Sequence, residues 1–225
     1  MFKRILIANR GEIAVRVIRA CQELGVEAVA IYSDADKNAL HVQLADLTYR
    51  VGPADATESY LNKEAVLEAA IQTKSDAIHP GYGFLSEDAD FAEMVTKAGI
   101  VWIGPMPETL RLVGDKDAAR AAMAPSGIPM SKGSAPLENN EMALKAAAEV
   151  GYPVILKPVS GGGGKGMFVA HSEEDLKNIL QLVDLKKVVH YFEHYIEHSR
   201  HIEAQILADN YGTVLFLGER ECSLQ

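Results

Sequence analysis

Apolar positions along the first hundred residues follow two alternating rhythms. Arg4-Ile5-Leu6-Ile7-Ala8 and Ala28-Val29-Ala30-Ile31-Tyr32 are short continuous apolar runs, the pattern of strands buried on both faces. Between them Glu12 opens a stretch in which Ile13, Val17, Cys21 and Leu24 recur at helical spacing, and Gly25 stops it. Ala65 to Ile71 predicts a second amphipathic helix, and Ser86 to Ala98 a third. Asp76-Ala77-Ile78-His79-Pro80 and Ile100-Val101-Trp102-Ile103-Gly104 predict further strands. Strand and helix in alternation imply an α/β fold, a parallel sheet covered on both faces with ligands at the carboxyl ends of its strands.

The rhythm changes after Gly104. Pro105 to Met123 reads as two helical pieces with Asp115 capping the second, and Ala124-Pro125-Ser126-Gly127-Ile128-Pro129 as a linker. Glu138 to Val150 predicts a helix, and Ser172-Glu173-Glu174 caps another. Strands are expected at Val154–Lys157, Met167–Ala170, Val188–Phe192, His201–Leu207 and Thr213–Leu217, making the second part α+β with antiparallel pairing. Gly218 to Gln225 prolongs the last strand without a closing element, so the chain is expected to be the first part of a longer protein.

With 225 residues, 48% hydrophobic and 24% charged, the chain has the composition of one large or two small globular domains. A net charge of −9 removes the basic footprint that nucleic-acid or anionic-membrane binding needs. It leaves a nucleotide open, because a lysine about 4 Å from a phosphate is worth roughly 4 kcal/mol at an effective dielectric near 20. Cys21 and Cys222 lack metal-ligand spacing, and Cys21 falls on the apolar face of the first helix as a buried reduced thiol. With no signal-peptide pattern at Met1-Phe2-Lys3-Arg4 and no apolar stretch near the ~20 residues that span a bilayer, a cytoplasmic setting is expected. A mitochondrial-matrix protein after loss of its transit peptide would read the same way.

The run Ser160-Gly161-Gly162-Gly163-Gly164-Lys165-Gly166-Met167 is the most unusual segment. Each glycine loses roughly 0.5–1 kcal/mol against alanine in regular structure, so the run is either a flexible hairpin tip or backbone that must approach an anion closely. A P-loop is excluded because Gly166 and Met167 follow Lys165 where Ser or Thr is required. Asn9-Arg10-Gly11-Glu12 lacks the spacing of a dinucleotide fingerprint. The run instead joins two strands, as a hairpin flap over a nucleotide would, and Lys157 on the entering strand is either a fixed phosphate-binding charge or a solvated strand lysine. His194, His198 and His201 lie on a strand-like stretch with no Cys or Asp among them, which argues against zinc, and Arg19 and Glu23 are spaced as an exposed i,i+4 pair.

Taken with Ile5 to Ala14, His79-Pro80-Gly81-Tyr82-Gly83-Phe84-Leu85-Ser86-Glu87, Gly114-Asp115-Lys116, Arg200-His201-Ile202-Glu203 and Gly218 to Gln225, the glycine run resembles biotin carboxylase, in that family's order and over nearly the whole chain. The resemblance implies a Rossmann-like parallel-sheet N-terminal domain over 1–113, an α+β ATP-grasp lid with antiparallel strands and its linker over 114–203, and the start of a C-terminal ATP-grasp domain over 204–225. It implies an ATP-dependent ligase that carboxylates carrier-bound biotin with bicarbonate through carboxyphosphate. ATP would be bound by Lys116, Lys157, Gly163, Gly164, Met167, Glu193, His194, Tyr195, Ile196, His201 and Gln225, with the Glu193–Ile196 hinge holding adenine by its backbone. Tyr82 and Gly83 would face biotin.

The same resemblance places the ligands of Mg2+ (or Mn2+), the groups that activate bicarbonate and the catalytic residues beyond Gln225. The chain alone is therefore expected to be inactive. A biotin carboxyl carrier protein or domain, a carboxyltransferase and a second copy of the full-length protein are the implied partners, with the first helix at the homodimer contact. His194 stands where the family usually has lysine or arginine, and the segment between Ser172 and Glu193 is shorter than the family's. Another ATP-grasp ligase of the carbamoyl-phosphate type and a non-catalytic nucleotide-binding or dimerisation module are the competing readings.

Overall fold

A computed structural model describes residues 2–159 and 166–223. The glycines of the 160–165 run, Gly163 and Gly164 included, and Gln225 lie outside the described residues. The chain divides into two compact units, Met1–Ile128 and Pro129–Gln225.

The first unit contains β1 (Arg4–Ile7), α1 (Gly11–Glu23), β2 (Glu27–Ser33), α2 (Leu40–Leu44), β3 (Leu47–Gly52), α3 (Lys63–Gln72), β4 (Ala77–His79), α4 (Ala89–Lys97), β5 (Val101–Trp102), α5 (Pro107–Gly114) and α6 (Lys116–Met123). Its five strands pair in parallel in the order β3-β2-β1-β4-β5. The order reverses at β1, between β2 and β4, which opens a crevice at the carboxyl ends of those strands.

Alternation along the strands sends Leu6, Val29, Ile31 and Ile78 into a core with Val66, Ala69 and Ala70 of α3 and Phe91 and Val95 of α4. The intervening Ile5, Ile7, Ala28, Ala30 and Ala77 meet Ala14, Val17, Ile18 and Cys21 of α1 on the other face. The three small alanines let α1 lie close to the sheet. Burial, then the Asp46 carboxylate, pushes the Cys21 thiol up, so it stays a neutral packing group.

Local chemistry sets the helix ends. Gly25 (φ 68°) takes the left-handed turn after α1, with Val26 N–H donating to Cys21 O at 2.9 Å. Asn62 caps α3, accepting from Ala65 N–H at 2.9 Å, and Asp115 receives Ala118 N–H at 3.0 Å, the cap expected at α6. Asp88 accepts Phe91 N–H at 2.8 Å, so α4 begins at Ala89, three residues later than the sequence pattern predicts. Two elements lie outside that pattern altogether. α2 is one short turn, and β3 is an edge strand whose first four residues are exposed or half-buried, so it carries no apolar run. Arg19 and Glu23 are both exposed and make no ion pair among the described residues, a correction to the pair expected from their spacing.

The second unit contains α7 (Asn140–Val150), β6 (Val154–Pro158), β7 (Phe168–Ala170), α8 (Glu173–Leu182), β8 (His190–His194), β9 (Ile202–Ala208) and β10 (Val214–Glu221). β6 is central in an antiparallel sheet ordered β7-β6-β8, so the strands flanking the glycine run do form a hairpin. Val154, Leu156, Ala170 and Phe192 pack against Ala143, Ala147 and Val150 of α7 and Leu176 and Leu180 of α8. Ser172 caps α8, its hydroxyl accepting from Asp175 N–H at 3.1 Å. β8 lies two residues later than expected, because His190 to His194 are the residues that register with Pro158 to Val154. β9 and β10 form a separate antiparallel ribbon with Ile206, Leu207, Leu215 and Phe216 exposed. No helix among the described residues is long and apolar enough to cross a membrane.

Ile78, fully buried in the interior strand β4, and Ile71, about half exposed on α3, predict opposite sensitivities. Ile78→Ala is expected to destabilise the chain by about 2–5 kcal/mol and Ile71→Ala by under about 1 kcal/mol, read from urea unfolding followed by circular dichroism. Asp88→Ala, which removes the α4 cap and the Lys63 ion pair at 2.7 Å, is expected to lose about 0.5–2 kcal/mol. Partial burial raises the Asp88 pKa, but the Lys63 ammonium and the cap N–H outweigh it and hold the carboxyl below its usual range. The stabilising contribution is thus complete above about pH 4 and is lost as pH falls through the lowered folded value. The wild-type advantage over Asp88→Ala should shrink on acidification below that point.

Candidate functional site

In the second unit the chemistry collects on the face of β6 and β8 turned away from the helices. Val154 and Leu156 point into the core, so Ile155 and Lys157 occupy the other face. Glu193 sits opposite Ile155 and therefore on the same face as Lys157, one pleat along. Lys157 Nζ donates to Glu193 Oε2 at 2.7 Å, with about a quarter and a sixth of the two side chains exposed. Lys157 is therefore not a free surface lysine but a held cation at the foot of the glycine run. Such a pair forms only where both charges keep good geometry, since each loses hydration.

The remaining hinge residues continue from β8. His194 N–H donates to Lys132 O and Tyr195 N–H to Pro153 O, both at 2.8 Å, fixing the backbone at the end of the strand. The His194 ring turns back to Gly151 O, with Nδ1 at 2.9 Å. Tyr195 meets His171 edge to face at 6.4 Å, and Ile196 is exposed. Met167, exposed, precedes β7. His201 precedes β9, its N–H donating to Ser223 Oγ at 2.9 Å and its carbonyl accepting Cys222 N–H at 2.8 Å. Lys116 opens α6 in the first unit, and its side chain lies outside the described residues.

In the first unit a cleft of about 500 Å3 opens at the carboxyl ends of β1, β2 and β4, lined among others by Arg10, Asp36, Tyr82, Gly83 and Phe84. The Tyr82 side chain is exposed, and Gly81 (φ 66°), Gly83 (φ 65°) and Phe84 (φ 44°) take left-handed backbone on either side of it. Glycine is free there, but Phe84 is a bulky residue in a conformation it avoids. His79 Nδ1 accepts Gly81 N–H at 3.0 Å, and burial holds the imidazole pKa below its usual value, as a neutral acceptor requires.

Behind the turn lies a cluster that sequence reasoning missed. Asp36 Oδ2 receives Arg10 Nη1 at 3.0 Å, Tyr60 hydroxyl at 2.7 Å and Ser33 hydroxyl at 3.1 Å. Partial burial pulls the Asp36 pKa up, yet these three donors win and leave it lowered. Tyr60 is pushed up to about 12, by burial first and then by Asp36. The Tyr60 and Phe84 rings stack at 5.1 Å, with the Arg10 guanidinium 5.2 and 5.6 Å from their centroids. Asn9, Asp36 and Tyr60 come from three separate loops. The one hint in the sequence was polar Asn9-Arg10 directly after the apolar run Ile5-Leu6-Ile7-Ala8.

Among the described residues no group of three or more His, Cys, Asp or Glu is placed to hold a metal ion.

Two family descriptions match adjoining parts of the chain: biotin carboxylase, N-terminal domain, over residues 1–110, and carbamoyl-phosphate synthase L chain, ATP binding domain, over residues 115–225. Biotin carboxylase 1 of Bacillus subtilis is 50% identical over 232 positions, covering 100% of this chain and 52% of that protein. Among solved structures, a biotin carboxylase–β-γ-ATP complex from Campylobacter jejuni matches with a TM-score of 0.89 and 45% identity, over 100% of this chain and 52% of that one. The biotin carboxylase domain dimer of Hydrogenobacter thermophilus 2-oxoglutarate carboxylase, in complex with MgADP, ADP and bicarbonate, matches with a TM-score of 0.87 and 43% identity, over 100% and 51%. The chain thus spans about half the length of the relatives it matches. With both units matched in order and half of all positions identical to a named relative, the chain belongs to the biotin carboxylase family.

Proposed function

We propose that this chain forms the ATP-holding lid and the biotin-facing turn of a biotin carboxylase, an ATP-dependent ligase that carboxylates carrier-bound biotin with bicarbonate. The observation that carries the reading is Lys157, held by Glu193 on the face of β6 and β8 turned away from the helices, on the strand that leads into the glycine run. A cation fixed on a strand beside backbone free of Cβ atoms is suited to a polyphosphate. The nucleotide complexes of the Campylobacter and Hydrogenobacter relatives support ATP as that ligand, and the bicarbonate in the latter supports the co-substrate.

Within this reading Lys116, Lys157, Gly163, Gly164, His201 and Gln225 serve the ribose and phosphates, Glu193, His194, Tyr195 and Ile196 the adenine, and Met167 also contacts ATP. Tyr82 and Gly83 face biotin. The domains run 1–113, 114–203 and 204–225, and the junction of the two matched families between residues 110 and 115 supports the first boundary. Closure of the glycine run over the phosphates would exclude water, which a carboxyphosphate intermediate requires if it is to survive. The MgADP in the Hydrogenobacter relative supports magnesium as the ion that accompanies ATP. The proposed partners are a biotin carboxyl carrier protein or domain, a carboxyltransferase and, for the full-length protein, a second copy.

The full-length protein should hydrolyse ATP in dependence on both bicarbonate and biotin, measured by phosphate release. Lys157→Ala should lower that rate by at least about tenfold, since one lysine–phosphate contact is worth several kcal/mol in a partly desolvated site. Hydrolysis that needs no bicarbonate and serves a different acceptor would overturn the assignment.

A further inference from the structure

We infer that Asn9 and Arg10 are positioning residues that hold the Tyr82–Gly83 turn in its binding geometry, a role that rests on the reading of this turn as biotin-facing. The turn does not hold itself. Left-handed backbone at a bulky residue such as Phe84 costs on the order of 1–3 kcal/mol and persists only where the surroundings enforce it. Asn9, only 3% exposed, supplies that enforcement from the end of β1. Both hydrogens of its side-chain amide are used, one on Pro80 O and one on Tyr82 O, each at 2.7 Å. Its Oδ1 accepts Arg10 N–H at 2.9 Å, so the amide has one orientation only. A flip would set its oxygen against two carbonyls.

The fit is also steric. A Cβ on Gly81 would come within 2.8 Å of Asn9 Nδ2, so the glycine lets the amide reach the carbonyls on both sides of it. Arg10 acts on the far end of the turn. Its guanidinium lies over the Phe84 and Tyr60 rings while Asp36 fixes it by an ion pair at 3.0 Å. Ser86 N–H donating to Gly83 O at 2.9 Å closes the loop between these two anchors. The bonds all fall on the backbone of Tyr82 or on its neighbours, which leaves the Tyr82 ring exposed for a ligand on a backbone that cannot drift.

The test joins amide hydrogen exchange on this chain to kinetics of the full-length protein. Asn9→Ala is expected to speed exchange at Gly81–Ser86 at least about tenfold, with β2 and α3 changed less than about twofold. It should lower kcat/KM for biotin at least about tenfold while the KM for ATP moves less than about twofold, since displacement of about 1 Å at a reacting partner costs up to a hundredfold. Arg10→Lys keeps the charge for Asp36 but loses the planar stack, and should give the same split at smaller amplitude. It also decides the question if Asn9→Ala does not fold. Unchanged exchange in the turn, or parallel losses in the biotin and ATP parameters, would overturn the inference. Tyr82→Ala separates it from the reading beneath it. Intact biotin kinetics in Tyr82→Ala would remove the biotin-facing assignment, whereas a biotin defect there with none in Asn9→Ala and Arg10→Lys would remove the positioning role alone.

Discussion

Every element of the first unit takes its place from β1, four residues paired in parallel on both sides. One end of this strand is pinned by Asp76, whose carboxylate accepts Lys3 N–H at 2.6 Å and Arg4 N–H at 3.0 Å and is held ionised by those bonds. Arg4 reaches sideways to Glu27 at the start of β2, with Nε at 2.8 Å, and to the carbonyl of Thr73. The three strands at the reversal of the sheet therefore start level. At the opposite end Ala8 N–H takes His79 O at 2.9 Å, and the next residue is Asn9. A parallel strand with its ends fixed delivers whatever follows it to one spot at the rim, and here that spot is the crevice.

The second unit solves a different problem, how to hold a cation in place on the strand that leads into the glycine run. Alternation is enough. Because β6 buries Val154 and Leu156, Lys157 has nowhere to go but the opposite face, and antiparallel register brings Glu193 within reach. The carboxylate holds the ammonium in place at 2.7 Å. Backbone bonds from His194 to Lys132 and from Tyr195 to Pro153 fix the end of β8, so Lys157 and the residues proposed to hold adenine are anchored on one sheet.

Most of the fold was legible because its signals are local. Apolar runs marked β1, β2 and β4, and Asp115 and Ser172 cap the helices where the sequence places caps. β3 escaped because an exposed edge strand such as Leu47-Thr48-Tyr49-Arg50 has no need of an apolar run. Lys157 could be singled out from its strand and the glycines after it, but its partner could not, since the pairing depends on a register between segments far apart in the chain. Of the Asn9–Arg10–Asp36–Tyr60–Phe84 assembly the sequence offered only the polar Asn9-Arg10 pair, for the same reason. Each residue is ordinary where it stands, and only the meeting of four strand and loop ends gives it a role.

Asn9 and Gly81 divide a single volume between them. The side-chain amide at position 9 occupies the space that any side chain at position 81 would claim. Substitutions at the two positions are therefore epistatic: what position 81 tolerates depends on what position 9 carries. The fine structure of the turn is thus inherited as a pair of residues some seventy positions apart, a coupling that neither the glycine nor the asparagine discloses alone.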